Sequence, residues 1–167
     1  MTLPVARTRD EARLYLDLTA CACGALDADW QHATGLQDGE LVSVYDATCP
    51  GCGADREYAF GLPERETAGD YPHFGGDEPS QLIDAGRWMA LADQLASALP
   101  EDPATAAQAL HLARAAVDEV IKFVPAGATT VPAKAFWTPE GRAVRDAEPG
   151  RFQLDRLEIV RNTYQPT

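Results

Sequence analysis

Four cysteines, arranged in two short pairs, most constrain how this chain can fold. Cys21 and Cys23 form the sequence C-x-C-G. Cys49 and Cys52 form C-P-x-C-G after a gap of 25 residues. Zinc takes four tetrahedral ligands, and two cysteine turns at the ends of neighbouring strands can supply two thiolates each. No cysteine is left over, so the spacing predicts one structural Zn²⁺ bound by all four.

Two alternatives stay open for these thiols, namely a disulfide or redox pair and an iron site. Gly24 and Gly53 follow the two pairs and favour a metal knuckle. In such a knuckle the backbone turns back so that N–H groups point at sulfur, and glycine tolerates the positive φ that this can require. The first pair is one residue shorter than the common C-x₂-C, so we expect it to form the tighter turn.

The cysteine pairs resemble the metal-binding knuckles of zinc-ribbon proteins. The resemblance covers residues 19–62 and rests on Cys21, Cys23, Gly24, Cys49, Pro50, Cys52 and Gly53. It implies a small metal-stapled sheet and specifies no function. The Ala-, Asp- and Arg-rich composition, with the segments FGGDEPSQLID and KFVPAG, also resembles uncharacterised actinobacterial proteins. Some small acidic proteins of that kind are immunity partners of toxins, which implies a protein partner.

The distribution of turns and apolar residues predicts an α+β fold, with a zinc-ribbon-like three-stranded antiparallel sheet followed by a small helical bundle. Asp38 and Gly39 separate two β-type segments and signal a hairpin. Thr8 and Glu11 match the capping box of a short N-terminal helix. Residues 1–62 should therefore form the zinc-ribbon-like module. Its expected strands are 28–36, 40–48 and 56–62.

Residues 63–80 contain three prolines and three glycines without a sustained period, which predicts a connecting loop. Its length is typical of either a linker or an ordered functional loop, and its aromatic residues favour a packed connector.

Helical spacing of apolar residues dominates 81–167. This region is expected to pack with the sheet in one compact domain or to stand apart from it. The expected helix starts are the caps Asp84, Asp102 and Thr138, followed by a last helix from Arg151.

The charge balance limits the classes of partner. The formal net charge is −12, with 4 basic against 10 acidic residues in 1–62 and 10 against 16 in 63–167. An acidic surface repels nucleic-acid phosphates, so a nucleic-acid-associated zinc ribbon is an alternative that the charge disfavours. The same field would speed association with a basic protein.

Sequence patterns also predict the compartment. Apolar stretches are interrupted before they reach the length that crosses a bilayer, so we expect no membrane span. Arg7, Asp10 and Arg13 lie where a signal peptide needs an apolar segment. We therefore expect a cytoplasmic location, where reduced cysteines bind metals more often than they form disulfides.

Catalytic motifs are lacking in the sequence, and the function that it favours is non-catalytic protein binding. The chain would then be an immunity or regulatory partner of a toxin or enzyme, of unknown oligomeric state. An alternative is an enzyme with its site in the 70–78 loop, whose polar residues could equally form a solvated turn. They are Asp70, Tyr71, His73, Asp77 and Glu78.

The remaining histidines and the tryptophans have ordinary structural interpretations. His32 is expected on the solvent side of the first strand, and His111 is expected to be a partly buried or surface residue of a helix. Trp30, Trp88 and Trp137 are expected in the core rather than at an interface.

Overall fold

A computed structural model describes residues 2–165. The chain divides into two compact units, Met1–Gly76 and Asp77–Thr167. The first contains one helix and a three-stranded antiparallel sheet, and the second contains four α-helices. The predicted α+β fold, with its sheet preceding the helical region, is therefore confirmed.

The elements follow one another in the predicted order. In the first unit they are α1 (Arg9–Asp17), β1 (Gln31–Gln37), β2 (Glu40–Thr48) and β3 (Asp55–Gly61). In the second they are α2 (Ala85–Ser97), α3 (Pro103–Ile121), α4 (Pro139–Ala147) and α5 (Leu154–Thr163), with short 3₁₀ segments at Ala133–Ala135 and Pro149–Phe152.

The sheet has the order β1-β2-β3, and its first hairpin turns at the predicted residues. Asp38 has φ 52° and Gly39 has φ 83°. Positive φ at both central residues matches the twist of the flanking strands and closes a two-residue hairpin. One face of the sheet carries the buried rings of Tyr45 and Phe60, and Tyr15 of α1 packs edge-on against Phe60.

Helix α1 starts as predicted but uses only half of the capping box. The Glu11 backbone N–H donates to Thr8 Oγ1 over 3.1 Å. The Glu11 carboxylate accepts instead from the backbone N–H of Arg7, over 2.8 Å, and from its guanidinium. Glu11 is fully buried, so this pairing compensates a charge that would otherwise be costly to bury.

The second unit packs α2 against α3 and α4, and α3 against α5. Asp84 and Asp102 cap α2 and α3 as predicted, and Thr138 caps α4. The last helix starts at Leu154 instead of Arg151, because Pro149–Phe152 form a 3₁₀ turn first.

The core of the second unit contains one of the two tryptophans expected there. Trp88 is fully buried on α2, whereas Trp137 is 41% exposed and was wrongly expected in the core. Among residues 2–165, no helix has the length and apolarity needed to cross a membrane.

Candidate metal centre

The first cysteine pair forms a tight turn ahead of β1. The backbone N–H of Gly24 donates to the carbonyl of Cys21, and the N–H of Cys21 donates to the carbonyl of Ala25, both over 2.8 Å. Gly24 has φ 92°, a conformation that side-chain-bearing residues rarely adopt. The short C-x-C spacing therefore closes its turn with glycine directly after Cys23.

The second pair forms the connection between β2 and β3. Cys49 follows the last residue of β2, and its backbone N–H donates to the Ala54 carbonyl over 2.8 Å. The N–H of Gly53 donates back to the Cys49 carbonyl over 2.9 Å, and Gly53 has φ 76°. Both glycines thus have the positive φ that the sequence predicted for them.

The four sulfur atoms come together between these turns. Each Sγ lies within 4.8 Å of the others. Two hydrogen-bonded pairs join one turn to the other. They are Cys21 with Cys52, at 3.7 Å, and Cys23 with Cys49, at 3.6 Å.

These separations fit a tetrahedral metal centre. Zinc–sulfur bonds of 2.3 Å in a tetrahedron place the sulfurs about 3.8 Å apart. A disulfide would need about 2.05 Å, and all four thiols are free. The four cysteines are therefore positioned to bind one metal ion.

The surroundings of Cys49 and Cys52 shift the pKa values of their thiols in opposite directions. Backbone N–H groups of Cys52 and Gly51 point at the sulfur of Cys49 and lower its pKa to about 6. The N–H of Ala54 favours the Cys52 thiolate, but the other three cysteines and desolvation outweigh it and raise the pKa of Cys52 to about 11. The cluster thus favours the thiolate of Cys49 and disfavours ionisation of Cys52. A bound divalent cation would stabilise both thiolates.

Gly51 contributes to the site in a way that the sequence analysis missed. A Cβ at this position would lie 3.1 Å from Cys23 Sγ and 3.1 Å from the Cβ of Ala25. Glycine therefore lets the second turn approach the first. Its position inside the C-P-G-C sequence was the available signal, but which neighbour it meets depends on the fold.

Arg56 is a second residue that the sequence analysis missed. Its Nη2 donates to the carbonyl of Thr19 over 2.8 Å, and its guanidinium carbon lies 4.9 Å from the centroid of the Trp30 ring. Hydrogen bonding to Tyr58 raises its pKa, and electrostatic interaction with Cys21 and Cys49 acts in the same direction. Arg56, on β3, therefore contacts the chain on both sides of the first cysteine turn, at Thr19 and at Trp30. It also interacts electrostatically with the sulfur cluster.

The polar residues of the 70–78 loop belong to two different compact units. His73 donates its backbone N–H to Asp10 Oδ2 over 3.0 Å, and its Nε2 lies 2.8 Å from Thr67 Oγ1. Thr8 Oγ1 donates to its carbonyl over 2.6 Å. These contacts hold His73 against the start of α1. Asp77 and Glu78 belong to the second compact unit.

A different histidine belongs to a polar pair. Nε2 of His32 lies 2.7 Å from Oγ of the buried Ser43, and its ring packs on Tyr45. The pair lines a cavity of about 340 Å³ in the first unit, which Arg9 and Glu66 also line. His32 is exposed as predicted, although its ring lies on the same sheet face as Tyr45. His111 is exposed on α3, as expected, and Trp30 is buried.

A comparison with known protein families, curated proteins and solved structures found no significant match to this chain. The zinc-ribbon resemblance is therefore supported by the cysteine cluster alone.

Proposed function

We propose that this chain is a non-catalytic, zinc-stabilised protein-binding protein. One Zn²⁺ bound by Cys21, Cys23, Cys49 and Cys52 would join the turn that precedes β1 to the turn between β2 and β3. The observation that carries the proposal is the approach of all four sulfurs to within 4.8 Å of one another.

The ligand set supports a structural role for the metal. Four thiolates fill the tetrahedral shell of zinc, whereas a catalytic zinc keeps one position open for water or substrate. The bound ion would supply a cross-link between two turns that are 25 residues apart in the chain. Iron would fit the same four sulfurs, so the test must identify the metal.

Charge supports a protein partner of basic character. The chain has a formal net charge of −12, and between Leu14 and Asp55 it contains seven acidic residues and no Lys or Arg. Four thiolates and one Zn²⁺ would add further negative charge. Binding to a toxin or enzyme, as an immunity-type protein does, is the specific form of this proposal, and nucleic acid is disfavoured by phosphate repulsion.

The experiment compares the metal content of two variants, each with a substitution at an exposed position. Cys52→Ser removes one ligand, and Ala54→Ser introduces the same side chain two residues away without removing a thiolate. We expect about one zinc per chain in the parent and in Ala54→Ser by elemental analysis of protein purified under reducing conditions. Cys52→Ser should lose most of its zinc, because three thiolates leave the shell open.

Two outcomes would contradict the metal assignment. One is a reduced, chelator-free protein without metal, and the other is full zinc retention by Cys52→Ser. Iron in place of zinc, detected by the same analysis and by thiolate-to-iron absorption, would overturn the identity of the metal while leaving the site in place.

A further inference from the structure

The free edge of β1 is the outer boundary of the sheet. The order β1-β2-β3 leaves β1 with one neighbour, and its pairing runs without a bulge from Gln31 opposite Asp46 to Gln37 opposite Glu40. No isolated bridge among the described residues involves β1. Proteins usually protect such an edge with lysine, proline or a bulge. The sequence of β1, QHATGLQ, contains no charged residue and no proline.

The hairpin geometry identifies the backbone groups that face outward. Gln37 and Glu40 flank the two-residue turn and form its hydrogen-bonded pair. Bonded and non-bonded positions alternate along an antiparallel strand. His32, Thr34 and Leu36 therefore direct their N–H and C=O groups away from β2. Residues 31–37 are exposed except Gly35, which is half-buried.

Exposed apolar side chains lie next to this edge on one face of the sheet. Leu36 lies opposite Leu41 in the register, and these leucines are 73% and 59% exposed. An added strand would extend the sheet and place alternate side chains beside them, which is how β-strand addition combines backbone bonding with side-chain selection.

Acidic residues stand at both ends of the edge. Asp29 precedes β1, Asp38 lies in the turn, and Glu40 and Asp46 lie opposite the two ends of β1. The cations near this edge are Arg7 and Arg9, which line the cavity beside His32, and Arg13, which donates to the carbonyl of Trp30 over 3.1 Å. Pairing of two copies through β1 in antiparallel fashion would bring Asp29 of one copy near Asp38 of the other, and like charges oppose that arrangement.

We propose that β1 binds an extended segment of a partner protein, with uncharged β-forming residues at its centre and Lys or Arg at its ends. This inference rests on the proposed protein-binding function and assigns its surface and the chemistry of the partner. Backbone bonds to His32, Thr34 and Leu36 would supply general affinity, and the acidic ends would select a basic segment.

The test titrates the ¹⁵N-labelled, metal-loaded full chain with the peptide Lys-Lys-Thr-Val-Thr-Val-Thr-Lys-Lys. We expect saturable shifts and slower hydrogen exchange at the amides of His32, Thr34 and Leu36. The same peptide with glutamates in place of its lysines should bind at least about tenfold more weakly, because it meets like charges at both ends.

Variants at one position separate backbone pairing from side-chain contact. Thr34→Pro removes an outward N–H without removing a bond to β2, a replacement that edge strands tolerate. Thr34→Val keeps the N–H and serves as its matched control. We expect Thr34→Pro to lose peptide binding and Thr34→Val to keep it, with metal content verifying that both fold. Thr34→Lys keeps the backbone intact and should also weaken binding, since lysine protects edges and reduces the net negative charge that attracts the peptide's lysines.

Several results would overturn the inference. They are no binding to the parent chain, shifts confined to other residues, and equal binding by Thr34→Pro and Thr34→Val. Self-association in sedimentation that protects the same amides without peptide would replace the partner with a second copy. In each case a retained equivalent of zinc would leave the metal assignment standing, so the two failures are distinguishable.

Discussion

The cysteine sulfurs of the candidate metal centre differ in acidity because their backbone surroundings differ. Two N–H groups face Cys49 and hold its pKa near 6, whereas the neighbouring thiols raise the pKa of Cys52 to about 11. At neutral pH the metal-free cluster therefore has Cys49 ionised and Cys52 protonated. Metal binding must displace the proton of Cys52, and protons and metal compete for that sulfur.

This competition predicts a pH-dependent zinc affinity. Between about pH 6.5 and 8.5 the affinity should rise by at least about tenfold per pH unit, because at least the Cys52 proton is released on binding. Below pH 6 the dependence should steepen, as Cys49 also becomes protonated in the metal-free state. Competition with a chromophoric chelator of known pH dependence measures both slopes. An affinity that does not change between these values would contradict the assignment of Cys52 as a protonated ligand.

The helices show that similar capping residues can have different structural roles. Thr8, Asp84, Asp102 and Thr138 all accept a backbone N–H at the start of a helix, as their sequence positions predicted. Asp84 differs from the other caps because it is fully buried. It also accepts hydrogen bonds from the backbone N–H and the hydroxyl of Thr138. It therefore joins the starts of α2 and α4, a link between residues 54 positions apart.

Two aspartate caps provide a matched comparison. Asp84→Ala should lower the free energy of unfolding by about 2–4 kcal/mol, because it removes a cap and leaves buried donors of Thr138 unpaired. Asp102→Ala removes an exposed cap that accepts from the backbone N–H and the hydroxyl of Thr105, and should cost about 1 kcal/mol. Chemical denaturation followed by the helical circular dichroism signal measures both. Equal losses would show that the bonds to Thr138 contribute nothing to stability.

Across the whole molecule, the candidate metal site belongs to only one of two compact units. All four cysteines lie within Met1–Gly76, and the sheet there is small. A sheet of this size commonly depends on an additional cross-link, since few apolar residues are available to bury. The helical unit has its own buried core, which includes Trp88, Val117 and Leu157.

Removal of the metal should therefore affect the units unequally. A strong chelator under reducing conditions is expected to increase amide hydrogen exchange across residues 21–61, because the two turns lose their cross-link. Amides in α2 and α3 should keep their protection. Hydrogen exchange measured by mass spectrometry before and after chelation follows both regions, with Ala54→Ser as the control that keeps its metal. Uniform loss of protection across the chain would contradict this independence.

The amino-acid sequence by itself determined the features that depend on residues close together in the chain. The helix caps, the Asp38 and Gly39 hairpin and the two glycine-closed cysteine turns each involve only a few consecutive positions. Local sterics and hydrogen bonding suffice to specify them. The α+β order of elements followed from the same local signals.

Only the tertiary structure decided which segments meet. The pairing of Cys21 with Cys52 spans 31 positions, and the bond from Arg56 to Thr19 spans 37. The contact between His32 and Ser43 depends on the register of two strands. Such contacts form because packing and strand pairing bring distant segments together, and no local pattern encodes the partner. The paired cysteine spacing was a local signal, so the clustering of the four cysteines could be predicted. The residues around the cluster and the free edge of β1 had no such signal and could not.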